Sequence, residues 1–174
     1  MKNKSFRNTI ILIMVCLVVM GASFYVSRNL LVVFPVKGSS MEPTLSSQEN
    51  VLLFRTTKLK YDDIIVFYVP HEDRYLVKRV IGFADDEIDI RYDYDKDCYH
   101  VFRNGKLVTE EYINEPMRGS YEPMTMKIPQ GKIFYLGDNR NNSDDSHVNG
   151  ALADVSQVQG VAFLKYKGYR FKFL

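Results

Sequence analysis

The sequence predicts a mainly β fold, an antiparallel β-sheet domain preceded by one N-terminal transmembrane helix. Three observations carry that prediction. An uncharged apolar run, TIILIMVCLVVMGASFYV, extends from Thr9 to Val26 behind a basic leader. Beyond Arg28 the apolar residues fall into short runs rich in Val, Ile, Phe and Tyr, each closed by turn residues, and no helical period recurs. Aromatic residues make up 13% of the chain, with 12 Tyr, 11 Phe and no Trp, which suits pleated, half-buried surfaces.

Each element follows from its own residues. The leader MKNKSFRN holds Lys2, Lys4 and Arg7 and no acid. About 18 helical residues rise ~27 Å, close to the hydrocarbon thickness of a bilayer. Cations on the short leading side hold that end in the cytoplasm and place the rest outside. The expected division is a basic cytoplasmic tail at residues 1–8, a transmembrane signal anchor at 9–28 and an extracytoplasmic domain at 29–174. Gly21, Ala22 and Ser23 supply the small residues of a cleaved signal peptide. The run is long, however, and continues into LLVVF at Leu30 to Phe34, which favours an anchor that is kept. It has no polar face of the kind a helix packed on a soluble domain presents.

Strands are predicted at Asn50–Arg55 (NVLLFR), Asp63–Val69 (DIIVFYV), Arg74–Phe83 (RYLVKRVIGF), Glu87–Tyr92 (EIDIRY) and Cys98–Gly105 (CYHVFRNG). In RNGKLV the Asn104-Gly105 pair suits a type I′ hairpin turn. Late strands come from GKIFYLGD and from VQGVAFLKYKGYRFKFL. The acidic stretch DDEIDIRYDYDKD reads as a solvated turn and sheet edge.

Charge and cysteine content narrow the function. The formal charge is +2, with 23 basic residues set against 21 acids, so nothing points to nucleic acid. Cys16 lies in the apolar run and Cys98 far downstream among polar residues, which argues against a disulfide framework.

Three segments carry possible chemistry. The first is GSSMEPTL, adjacent hydroxyls at Ser39 and Ser40 on a turn bounded by Gly38 and Pro43. Read alone it is a polar loop. The second is Lys78 in YLVKRVIG, a basic residue in an apolar strand. Strand alternation turns Lys78 and Arg79 to opposite faces, so that one of the pair tends inward. A lysine held against apolar walls titrates below its ordinary ~10.4 and becomes a usable general base, whereas arginine does not deprotonate. The third is GDNRNNSDDSHVNG, from Gly137 to Gly150. In isolation this is a surface loop; delivered by the strand KIFYLG, it is also a rigid place to orient polar groups.

Taken together, in this order and spacing, Ser-Met-x-Pro-Thr-Leu, Lys-Arg-Val-Ile-Gly and Gly-Asp-Asn-Arg resemble the type I signal peptidases, membrane-bound Ser–Lys endopeptidases that remove signal peptides. The likeness covers nearly the whole chain, and its short length is similar to the compact Gram-positive form. The resemblance implies that Ser40, directly before Met-x-Pro-Thr, is the nucleophile and that Ser39 is a variable neighbour. It implies Lys78 as general base, Ser143 as a hydroxyl orienting the lysine amine and Asp145 as a structural acid. Met41, Leu76 and Val77 are expected near shallow pockets for small side chains, giving cleavage after Ala-X-Ala-like residues. The implied chemistry uses no metal and no cofactor. Ser40 Oγ gives its proton to neutral Lys78 and attacks the scissile carbonyl, forming an acyl-enzyme; the ammonium protonates the leaving amine, and the lysine then activates water. The Ser40 backbone N–H joins the oxyanion hole. The implied partners are signal-peptide-bearing preproteins, the lipid bilayer and a nearby secretion translocon.

Some positions depart from the family pattern. Gly38 stands where some members carry a serine that donates to the oxyanion. His147 replaces the usual arginine after Asp145-Ser146 and offers a planar donor without a permanent charge. Asn149 replaces an aromatic residue, and GFADDEIDI replaces the usual Gly-Leu-Pro-Gly-Asp run. A non-catalytic accessory or chaperone for surface-protein or pilus assembly on the same fold is the alternative, but such a protein is expected to lose the serine or the lysine, and both remain. Self-cleaving Ser–Lys repressors share the dyad logic but carry a DNA-binding domain, for which this chain has no room.

Overall fold

The computed structural model describes residues 2–118 and 123–174. Its first element is the helix α1 (Lys2–Asn29). Within it Phe6–Val26 is long and apolar enough to cross a membrane, and none of that stretch is buried against the rest of the chain. At its end Leu30 N–H still donates to Val26 O at 2.9 Å, and the Asn29 amide donates to Tyr25 O at 2.9 Å. The β-branched Val32 and Val33 then favour extended backbone, and β1 (Leu31–Pro35) begins with only Leu30 between.

The chain continues through β2 (Asn50–Phe54), β3 (Ile64–Val69) and the long β4 (Arg74–Phe83). It then leaves for a second, four-stranded sheet made of β5 (Glu87–Asp93), β6 (Cys98–Arg103), β7 (Lys106–Leu107) and β8 (Met124–Lys127). It returns with β9 (Lys132–Leu136), β10 (Ala153–Asp154), β11 (Val158–Lys167) and β12 (Arg170–Phe173). The large sheet has the order β1-β2-β11-β3-β4-β9-β10, with β12 also paired to β11; the small one has the order β7-β6-β5-β8. Neighbouring strands are antiparallel, as the mainly β reading expects.

The continuous apolar run of β3 is explained by its central place, because both its faces are covered. Ile64 and Val66 join Val36, Met41, Leu45, Val51 and Leu53 in one cluster. Ile65, Phe67 and Val69 turn to the other face and pack with Val80, Ile133 and Tyr135. A third cluster, with Ile81, Ile88, Ile90, Val101, Phe134 and Leu136, joins the two sheets. Each fully buried side chain of this size contributes roughly 1.5–3 kcal/mol.

The Asn104-Gly105 hairpin forms with φ of 52° and 74°, both positive as a type I′ turn requires, and Arg103 pairs with Lys106 across it. The acidic stretch differs from its reading as a solvated edge. Its strand β5 is internal to the small sheet, paired to β6 on one side and β8 on the other. Ile88 and Ile90 are buried there, while the intervening acids and Arg91 turn outward.

Candidate active site

The Ser40 turn is pinned by its apolar members. Met41 and Leu45 are both buried in the first core cluster, and Leu45 N–H closes the turn on Met41 O at 2.7 Å. Gly38 has φ +83°, in the left-handed region that a side chain resists, which favours glycine here over a hydroxyl-bearing residue. The two serines are held differently. Ser39 Oγ accepts from the Asn142 amide at 3.0 Å, and Ser39 O accepts from Asn139 Nδ2 at 3.1 Å. Ser40 is fixed through its backbone, its carbonyl accepting from Asn139 N–H at 3.0 Å. Among the described residues none hydrogen-bonds Ser40 Oγ, which is half-buried at the wall of a cleft.

Lys78 lies across from Ile65 in the register of β3 and β4, so its side chain enters an apolar face. It is 2% exposed. Burial pushes its amine below the ordinary lysine value, and the negative charges of Asp145 and Asp144 oppose that shift without reversing it. The amine donates to Ser143 Oγ at 2.6 Å. Strand alternation sends Arg79 the other way, and Arg79 is also buried, because both faces of β4 are covered.

The segment after β9 is built around the Asp145 carboxylate, which is 2% exposed. One oxygen accepts from Gly137 N–H at 2.9 Å; the other accepts from His147 N–H and contacts His147 Nδ1. Asp145 thereby caps α2 (Ser146–Asn149), a single helical turn that periodicity did not reveal. Burial pushes its carboxyl up, but donors from His147, Gly137 and Ser143 outweigh this and hold it below the usual carboxylate range. The Ser143 hydroxyl accepts from the Lys78 amine and also favours the charged form of Asp145.

Gly137 brings the serine and the lysine assemblies together. A Cβ built there would overlap both Ser143 Oγ and the Ser40 carbonyl oxygen. The Lys78 partner and the Ser40 backbone thus share one glycine as neighbour, with no room for a methyl group. Gly137→Ala is expected to lower activity at least ten-fold and to cost about 1–3 kcal/mol of stability, read by peptide cleavage and denaturant unfolding.

Ser40, Met41, Leu76 and Val77 line one cleft of about 320 Å³, together with Val36 and Gly38. Lys78 follows Val77 in β4, and Ser143 and Asp145 join through the hydrogen bonds above. The structure thus places all seven sequence-selected residues in one neighbourhood. It also adds residues that sequence reasoning passed over. Arg79 Nε donates to Asp138 Oδ1 at 2.8 Å, Arg79 Nη1 donates to Asp62 O at 2.8 Å, and the guanidinium lies 3.9 Å from the Tyr112 ring centre. Arg140, 1% exposed, donates to Gly137 O at 3.0 Å and pairs with Glu110, with one contact at 2.6 Å. The only signal for Arg79 was its adjacency to Lys78 in an apolar strand. Glu110, in VTEEYINEP, reads like any solvated acid. Among the described residues no group of His, Cys, Asp and Glu is arranged to hold a metal ion.

The site can be set beside known proteins. The signal peptidase, peptidase S26 family model matches residues 7–167. A signal peptidase IB from Staphylococcus aureus (strain MRSA252) is 33% identical over 171 residues, covering 86% of this chain and 85% of that protein. A signal peptidase I from Bacillus licheniformis is 31% identical over 141 residues, covering 73% of this chain and 72% of its own. The crystal structure of a signal peptidase I from Enterococcus faecalis V583 aligns with a TM-score of 0.49 and 29% identity, covering 60% of this chain and 96% of that one. A family match over almost the whole domain, and relatives of similar length, establish that this chain belongs to the signal peptidase family, peptidase S26, and is a peptidase of signal peptides.

Proposed function

We propose that the protein is a membrane-bound serine endopeptidase that cleaves preproteins after small, Ala-X-Ala-like residues through Ser40 and Lys78. The observation that carries this reading is the buried, hydrogen-bonded Lys78 amine beside the Ser40 turn. A neutral amine has one lone pair and two N–H bonds. One N–H goes to Ser143 Oγ, which accepts it at 2.6 Å. The lone pair is left to take the Ser40 proton as Oγ attacks the scissile carbonyl. The resulting ammonium lies in the field of Asp145 and Asp144, and it returns the proton to the leaving amine. Water, activated by the lysine, then hydrolyses the acyl-enzyme. The Ser40 N–H supplies an oxyanion donor. The cleft at Met41, Leu76 and Val77 receives the small side chains before the cut bond.

Incubation with a panel of exported precursors, followed by N-terminal sequencing of the products, tests this reading. New N-termini directly after small residues are expected. Ser40→Ala should yield no product, and Ser39→Ala should stay within about three-fold of the parent, since Ser39 Oγ is tied to Asn142. Cleavage that survives Ser40→Ala, or precursors left intact by the parent protein, would sink the reading.

The same proposal places α1 across the bilayer, with the basic residues 1–8 in the cytoplasm and residues 29–174 outside, near the secretion translocon. The apolar, unburied stretch Phe6–Val26 supports it. Removing residues 1–28 is expected to leave a domain that cleaves soluble peptides but loses about ten-fold or more of its rate on bilayer-embedded precursors. Anionic vesicles should restore part of that rate. Equal rates on embedded precursors with and without α1 would contradict it.

A further inference from the structure

A second cleft, of about 390 Å³, opens on the other half of the Ser40 turn and is lined by Glu42, Pro43, Ser46, Asn114 and Asn139. We propose that it receives the first residues of the released mature chain, and that the Glu42 carboxylate sets a preference for a cationic side chain there. This inference rests on the proteolytic reading above.

Position supports it first. Asn139, in the wall of this cleft, is the residue that holds the carbonyls of both Ser39 and Ser40. Glu42 is two residues beyond Ser40, so their Cα atoms lie within about 7 Å, the reach of two or three extended substrate residues. A peptide whose small residues fill the cleft at Met41, Leu76 and Val77 must continue past Ser40 on the leaving side. The second cleft begins where the first one ends along the turn.

The chemistry of the lining gives the specificity. The first cleft mixes apolar side chains with charges of both signs, Lys37, Asp73 and Arg74, whereas this one presents a single charged group, the Glu42 carboxylate, beside a hydroxyl and two amides. Glu42 is half-buried, and among the described residues it makes no ion pair and no side-chain hydrogen bond. Lys165, the cation that touches this turn, is already held by Thr44 O at 2.8 Å and Glu49 at 3.2 Å. Among the described residues no cation pairs with Glu42, which lines the cleft proposed to take the leaving segment. A lysine or arginine entering the cleft relieves that charge, and an acidic residue is repelled by it. Partial solvent access keeps the effect modest and makes it fall with added salt.

The test uses the full-length protein in neutral detergent. Peptides share one sequence before the cut bond and carry Lys, Ala or Glu at each of the first three positions after it. At one of those positions the kcat/KM ratio of the Lys peptide to the Glu peptide is expected to be about three- to five-fold at low salt. That ratio should fall towards one in Glu42→Gln and invert in Glu42→Lys. Ratios are compared within each variant, so a general loss of activity cancels. A ratio near one in the parent at all three positions, or a preference that persists in both variants, overturns the inference while leaving the proteolytic reading standing. Failure of the parent to cleave any peptide overturns both.

Discussion

Replacing Lys78 with methionine is expected to abolish cleavage and, at the same time, to raise the melting temperature at neutral pH. The loss should be about 10^4-fold or more in kcat/KM, because the proposed proton acceptor is gone. Ser40→Ala should match that loss without any gain in stability, since Ser40 Oγ makes no hydrogen bond among the described residues. The stability gain follows from linkage. Burial holds the Lys78 amine below its ordinary value, so the unfolded chain binds the proton more tightly than the folded one. The cost to the fold is complete below the folded-state pKa, shrinks as pH rises through the window between the two values, and disappears above the ordinary lysine value. Lys78→Met, similar in length and apolar, should therefore be more stable than the parent by about 1–2 kcal/mol at pH 7, with the gap closing towards pH 10. The catalytic profile of the parent should rise with pH through the same depressed pKa. A parent enzyme fully active at pH 5, or a Lys78→Met protein less stable at every pH, would contradict a lysine held neutral for catalysis.

Asp138→Ala should be the most damaging single change to the fold around the site. The Asp138 side chain is fully buried and the Arg79 side chain is 9% exposed. Removing the acid leaves a guanidinium out of water with, among the described residues, only Asp62 O and the face of Tyr112 for company. Orphaned charges of this kind cost about 3–5 kcal/mol, or roughly 10 °C or more in Tm for a domain of this size. Because Asn139, the neighbour of Asp138, anchors the Ser39 and Ser40 carbonyls, activity should fall as well. The double change Arg79→Met with Asp138→Leu removes both charges and should recover more than half of the lost stability. Equal destabilisation in the single and double variants would show that the pair matters through shape and not through charge.

What was legible in the sequence was what local pattern encodes. The unbroken apolar run of β3, the hairpin at Asn104-Gly105 and the helix-to-strand change near Leu30 all depend on residues close in the chain. So did the position of Ser40, because Gly38, Met41 and Pro43 shape its turn. The rest depended on partners far away. The short β8 alternates Met with Thr and Lys over only four residues, too short a run to mark a strand by itself, and it forms where β5 offers it an edge. The acidic stretch reads as a solvated turn and edge, and nothing local says that strands flank it on both sides. Strand alternation turns one of Lys78 and Arg79 inward, and nothing local says that Asp138 and Tyr112 bury the second as well. Glu110 had no signal at all, since its meaning comes from Arg140, thirty residues on in the chain.

The single residue between α1 and β1 leaves the domain without a tether. With only Leu30 separating helix from sheet, the β domain has no slack with which to swing or rise. If α1 spans the bilayer as proposed, the height of Ser40 above the lipid is fixed by one strand and one turn, and it tilts as the helix tilts. The enzyme then measures its substrates as a fixed gauge does. A scissile bond must emerge at the gauge's own height, so the spacing between a precursor's apolar segment and its cleavage residues becomes a selection criterion alongside the residues themselves. Inserting a flexible Gly/Ser segment at Leu30 should widen the range of spacings that are cut and blur the choice of cleavage position, with the chemistry at Ser40 untouched.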